Sequence, residues 1–218
     1  MKIISANWIV TCDENNSIIK NGAVVFNDKI EEINTLSNIE KKYPNIEIEK
    51  LPENSVLMPG LINSHVHLEF SGNTTTLKYG NFYSWLTSVI KHREDLITMA
   101  NTQLILSKLN KMKRTGTTTI GAISSYSYDL DACVKSPLNK VFFCEVIGSK
   151  GDMIDTLFAD FKDRLNIARK HKAANFIPAI AIHSPYSVHP FLVRETLKLA
   201  REENLPVTSH FLESQEEF

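Results

Sequence analysis

The rhythm of hydrophobic and polar positions changes near residue 56. Before it, the segments KIISANWIVT, AVVFNDKIEEINT and IEIEKL are rich in β-formers, and DENN, KNG and YPN between them carry turn chemistry. Within FNDKI, Asn27-Asp28 tolerates the positive φ of a hairpin turn. Residues 1–56 are therefore expected to form a small β subdomain, too short to bury much by itself. From Val56 onward strands alternate with amphipathic helices. VLMPGLINSHVH reads as the first strand of this region. Ile97, Ala100, Leu104, Ile105, Leu109 and Met112 then make a helical stripe across 95–114, which stops at Gly116. TTTIGAI and NKVFFCEVIG are the second and third strands. Residues 152–170 repeat the helical stripe, NFIPAIAIHS is the fourth strand, 190–203 is a helix opened by Pro190, and LPVTSHF is the fifth strand. Several strands are almost continuous runs of Val, Ile and Phe, as in a parallel sheet buried on both faces. Repeated β-α units predict an α/β domain over 57–218, either doubly wound or a (β/α) barrel. Five units are counted where a closed barrel needs eight.

In such architectures the chemistry sits at the carboxyl ends of the strands. His65 and His67 close the first strand, His183 the fourth and His210 the fifth. Residues i and i+2 of a strand share a face, so His65 and His67 project side by side and can share one metal ion. The other three histidines have plainer settings. His92 and His171 lie in charged, solvated helix ends, and His189 precedes the helix-opening Pro190. Glu213 follows His210 by three residues, so a turn there lets its carboxylate reach back over a metal. Zinc lowers the pKa of a bound water to about 7, and a nearby carboxylate can then take its proton. The structural alternative is that Glu213, like Glu216 and Glu217, favours the positive end of a following helix.

Composition narrows the field. The 218 residues carry a formal net charge of -1, which gives no reason to expect nucleic acid or an anionic membrane as partner. Cys12, Cys133 and Cys144 are an odd, unpaired set that reads as reduced thiols. No signal peptide and no membrane-spanning run is found, and a cytoplasmic location is expected.

PGLINSHVHLEF, with Pro59, Gly60, His65 and His67, resembles the opening signature of the metal-dependent amidohydrolase superfamily. GTTTI, HSPYSV and TSHFLES follow in that family's order. HVHLEFSGN followed by FYSWL is most similar to the aminofutalosine deaminases of the menaquinone pathway. These lie within the purine-type deaminases that include the S-adenosylhomocysteine/methylthioadenosine enzymes. The resemblance implies a TIM barrel, incomplete here, and one divalent metal ion, zinc or else iron. The ion would be held by His65, His67 and His210 with an aspartate of the eighth strand. It implies Glu213 as proton shuttle and His183 as a second-sphere or substrate-contacting residue. Glu94, nine residues after Trp85, resembles the carboxylate that grips ribose hydroxyls. Glu69, in alternation with the two histidines, is a further candidate for substrate contact. The implied reaction is hydrolytic deamination of a 6-aminopurine nucleoside, aminofutalosine first, with release of ammonia. Other implied readings are an S-adenosylhomocysteine/methylthioadenosine deaminase, another cyclic-amide or guanine amidohydrolase, and a non-catalytic half-domain. The eighth-strand aspartate has no position in the sequence. The chain is accordingly expected to be the N-terminal part of a longer enzyme. It is also expected to form homo-oligomers or to associate through the open side of the partial barrel.

Overall fold

The computed structural model describes residues 1–217. They divide between Gly60 and Leu61 into two compact units. In the first, β1 (Lys2–Val10), β2 (Ile18–Phe26) and β3 (Ile30–Thr35) form an antiparallel meander. α1 (Leu36–Lys42) follows, and β4 (Ile48–Lys50) and β5 (Val56–Leu57) both pair in parallel with β1. Ile3, Ala23, Val25 and Ile39 pack together in one core cluster of this unit, and Ala6, Ile9 and Val24 in another. The β2–β3 turn does not use positive φ at Asn27 or Asp28. It closes instead with Asn27 N–H donating to the Lys29 carbonyl, beside a register shift between Val25 and Phe26.

The stretch expected to be one strand from Val56 is two. Val56 and Leu57 are claimed by β1, opposite Trp8 and Ile9. After Met58–Pro59–Gly60, β6 (Leu61–Val66) begins the second unit. The chain continues through α2 (Phe82–Met99), α3 (Thr102–Arg114), β7 (Thr117–Ser124), α4 (Leu130–Lys135) and β8 (Asn139–Val146). It then runs through α5 (Ile154–Arg169), β9 (Phe176–Ile182), α6 (Pro190–Glu202) and β10 (Val207–Ser209). The five strands are all parallel and lie in the order β10-β9-β8-β7-β6. Ile120, Ala122, Phe142, Cys144 and Ile180 of the strands share a core with Ile105, Leu109, Phe161, Leu165 and Leu192 of the helices. This is the expected incomplete (β/α) barrel.

The helix expected over 95–114 is broken. α2 begins earlier, where Asn81 accepts from Ser84 N–H at 2.8 Å, and ends at Met99. Asn101 then adopts an extended backbone and accepts from Leu104 N–H at 2.9 Å, which caps a new helix. His189 is the cap of α6. Its Nδ1 accepts from Phe191 N–H at 3.2 Å, with Pro190 in the first turn.

Candidate metal centre

His65 lies in β6, His67 one residue past its end, and His210 one residue past β10. β6 and β10 are the two edges of the sheet. Adjacent strands are about 4.8 Å apart, so in a flat sheet these edges would be separated by roughly 19 Å. Yet the three Nε2 atoms stand 3.1 Å from one another on every side. The sheet therefore curls until its edges face each other, as barrel strands do.

β6 itself is irregular where the histidines begin. Asn63 pairs with Ile120 and Val66 with Ala122, so Ser64 and His65 bulge out of the ladder. Gly121 permits this, because a Cβ there would lie 2.2 Å from the Ser64 carbonyl oxygen. At the far edge, His210 is tied by two bonds to the His183 carbonyl. Its backbone N–H donates at 2.9 Å and its Nδ1–H at 2.7 Å. Donation from Nδ1 leaves the Nε2 lone pair facing the other two imidazoles.

With His210 Nε2 able only to accept, hydrogen bonds between neutral rings cannot satisfy all three N–N contacts at once. A cation satisfies all three. Zinc–nitrogen bonds of about 2.0–2.1 Å in a tetrahedron put donor atoms about 3.3–3.4 Å apart, close to what is found. The donor set therefore fits a divalent metal. The local electrostatics also favour the neutral rings of His65 and His67. Burial, and then the charges of His210, His65 and His183, push His67 down to about 3. Burial followed by His210 lowers His65 as well.

His183, just past β9, packs its ring 4.9 Å from that of His210 and edge-on to Tyr186. Its Nδ1 contacts the hydroxyls of Ser184 at 3.0 Å and Ser187 at 2.6 Å, and burial followed by His210 pushes it down to about 4. Glu213 is exposed, three residues beyond His210 and one beyond Leu212, whose φ is +54°. Partial burial raises its carboxyl while His210 opposes the rise and Glu217 adds to it.

Glu69 is not in the strand. It lies in a 3-10 turn, Leu68–Phe70, and is 1% exposed. Its carboxylate accepts from the backbone N–H groups of Ser125 (2.8 Å), Tyr126 (3.0 and 3.2 Å) and Tyr128 (2.9 Å). It thus holds the loop after β7, whose Ser127 has positive φ. Burial raises this carboxyl, against the lowering by those amides. Glu94, on α2, borders a cleft of about 690 Å3 whose other wall carries Tyr126 and Tyr128.

Sequence reasoning missed Glu145. This carboxylate lies one residue before the end of β8 at 1% exposure, with Oε2 accepting from Ser125 Oγ at 2.5 Å and Oε1 3.9 Å from His210 Nδ1. Burial raises it too. A lone acid inside the apolar run VFFCEVIG was the available signal, because a strand buried on both faces has nowhere exposed to put it.

Residues 56–218 match the amidohydrolase family. The chain is 47% identical over 217 residues to aminodeoxyfutalosine deaminase of a Nitratiruptor species, covering 100% of this chain and 53% of that protein. It is 34% identical to adenosine deaminase of Helicobacter pylori, covering 99% and 52%. The structure of Helicobacter pylori aminofutalosine deaminase in complex with methylthio-coformycin superposes with a TM-score of 0.92 at 32% identity, over 100% of this chain and 52% of that one. The chain spans about half the length of the curated relatives it matches. The match opens just ahead of the strand that carries His65 and His67 and runs through the strand end that completes the triangle, and on that ground the chain belongs to the amidohydrolase family.

Proposed function

We propose that this chain carries the metal-binding machinery of a hydrolytic deaminase acting on a 6-aminopurine nucleoside, aminodeoxyfutalosine first. The observation that carries the reading is the triangle of three Nε2 atoms at 3.1 Å, with a carboxylate three residues past one of them. The likeness to aminodeoxyfutalosine deaminase supports the choice of substrate. His65, His67 and His210 would hold the metal, with zinc preferred and iron the alternative. The bound ion would acidify a water and polarise the carbon that is attacked.

The protein's own groups do the rest. Glu213 takes a proton from the attacking water, delivers it to the adjacent purine ring nitrogen, and hands the second proton to the departing amine. Water plus aminopurine thus becomes oxopurine plus ammonia. A carboxyl raised above its ordinary range is suited to both halves of that transfer. His183, its Nδ1 engaged by two serine hydroxyls, keeps its other ring nitrogen for orienting the substrate. Glu94 accepts from the vicinal ribose hydroxyls at the edge of the cleft. Glu69 acts on the substrate through the loop it holds.

The test is ammonia release from aminodeoxyfutalosine, S-adenosylhomocysteine, methylthioadenosine, adenosine and guanine with zinc- or iron-loaded protein. The reading expects turnover of at least one 6-aminopurine nucleoside and a loss of at least about 100-fold in Glu213→Gln with metal still bound. Full activity in that variant would remove Glu213 from the mechanism. Turnover of guanine alone would move the substrate class.

A further inference from the structure

We propose that Glu145 is a positioning residue of the metal centre, a buried carboxylate whose charge behind His210 strengthens that histidine's hold on the ion. The proposal rests on the metal site described above and on no choice of substrate.

The two oxygens of Glu145 have different surroundings. Oε2 accepts from Ser125 Oγ, which fixes the rotation of the carboxylate. Oε1 is buried without a hydrogen-bond partner and lies 3.9 Å from His210 Nδ1. That is too long for a hydrogen bond, and the Nδ1–H already donates to the His183 carbonyl at 2.7 Å. The carbonyl therefore sets the tautomer, and what the carboxylate adds is charge. A negative charge on the Nδ1 side of an imidazole enriches the Nε2 lone pair and favours a cation there. At 1% exposure little water screens that effect.

A buried oxygen with no partner is costly to keep, which calls for a reason at this position. Here the reason is a positive charge that arrives with the ion. The carboxylate is also placed with care. Ser125 N–H donates to Glu69, two residues beyond His67, while Ser125 Oγ donates to Glu145. The backbone and side chain of one serine thus tie the segment that bears His67 to the acid that backs His210. Arg164 secures the strand beneath by donating to the Glu145 carbonyl at 2.9 Å.

The experiment is zinc affinity by competition with a chromophoric chelator, for wild type, Glu145→Gln and Glu145→Asp, beside melting temperatures in the metal-free state. Glu145→Gln keeps the shape and removes the charge. It should bind zinc at least about tenfold more weakly. Its metal-free melting temperature should be no lower than that of wild type, because the amide oxygen keeps the bond from Ser125 Oγ and a buried charge is removed. Glu145→Asp keeps the charge and should recover part of the affinity. Unchanged affinity in Glu145→Gln overturns the role, as does a loss in Glu145→Asp equal to that in Glu145→Gln. A wild type that binds no zinc overturns both this role and the metal centre it serves. Zinc binding that depends on Glu145 in a protein that deaminates nothing leaves the role standing and removes the deaminase reading instead.

Discussion

His65 and His67, with their Nε2 atoms 3.1 Å apart and burial favouring the neutral ring in both, make the metal-free protein sensitive to mild acid. His67 is pushed down to about 3 in the folded chain, whereas an unfolded histidine titrates near 6.5. Its contribution to stability is complete above about pH 6.5 and is lost as the pH falls, because the unfolded chain then binds the proton the folded one refuses. His65 and His183 act in the same direction. The buried carboxyls Glu69, Asp129 and Glu145 are raised mainly by burial, so they favour the folded state at lower pH and lose that effect as pH rises. A comparison of wild type with His67→Gln separates the two. In chelator, wild type should lose about 2 kcal/mol more than the variant between pH 7 and pH 5, measured by urea unfolding. Parallel curves would remove the coupling. Burial also raises the thiol of Cys133 and pushes that of Cys144 up to about 12, while Cys12 is exposed. Iodoacetamide at pH 8 should accordingly label only Cys12 in the native protein and all three cysteines after unfolding. The convergence of His65, His67 and His210 was legible because alternation and strand ends are properties of the sequence itself. The partners of Glu69 and Glu145 were not, since the amides and hydroxyl that hold these carboxylates arrive from a loop 56 or 20 residues away.

At the scale of elements, the strand that leads into His65 and His67 depends on its neighbour. Gly121 in β7 faces the bulge at Ser64–His65, where an added Cβ would meet backbone at 2.2 and 2.8 Å. Backbone cannot swing aside as a side-chain tip can. Gly121→Ala should push β6 away, displace His65, and cost about 1–3 kcal/mol of stability. Metal affinity, measured by competition with a chromophoric chelator, should fall more than tenfold. Unchanged affinity would mean that the bulge does not aim the ligand. The parallel strands themselves were readable from their apolar runs. The break between α2 and α3 was not, because Ile97 and Ala100 continue the hydrophobic stripe straight across it. There a local bond, Asn101 to Leu104 N–H, overrides the periodicity. α1 and α4 escaped notice for the complementary reason that seven and six residues are too few to show a period.

At the scale of the whole molecule, the count of five β-α units was visible in the sequence, and the barrel-like curl followed from the family resemblance. Which surfaces that curl leaves uncovered was not visible, since exposure depends on what each strand pairs with. Among the described residues β6 pairs only with β7, and β10 only with β9. The apolar residues at these edges are prominent: Ile62 is 71% exposed, Leu61 and Val207 are exposed as well, and so is Phe211 beyond β10. An uncharged edge strand with free backbone donors and acceptors is a template for pairing with another chain. We therefore expect this chain, studied by itself, to associate reversibly as its concentration rises, as read by sedimentation velocity. Ile62→Lys places a charge on the β6 edge without touching His65, His67 or His210. It should shift the equilibrium toward monomer while leaving metal stoichiometry at one per chain. A variant that associates as strongly as wild type would move the contact away from β6. Saturating metal gives a second handle on the same surface, because ligation joins the β6 and β10 edges through His65, His67 and His210 and so restrains both strands. Metal should raise the melting temperature in wild type and in Ile62→Lys alike, whereas a rise confined to the associating form would mean that the site is completed between chains.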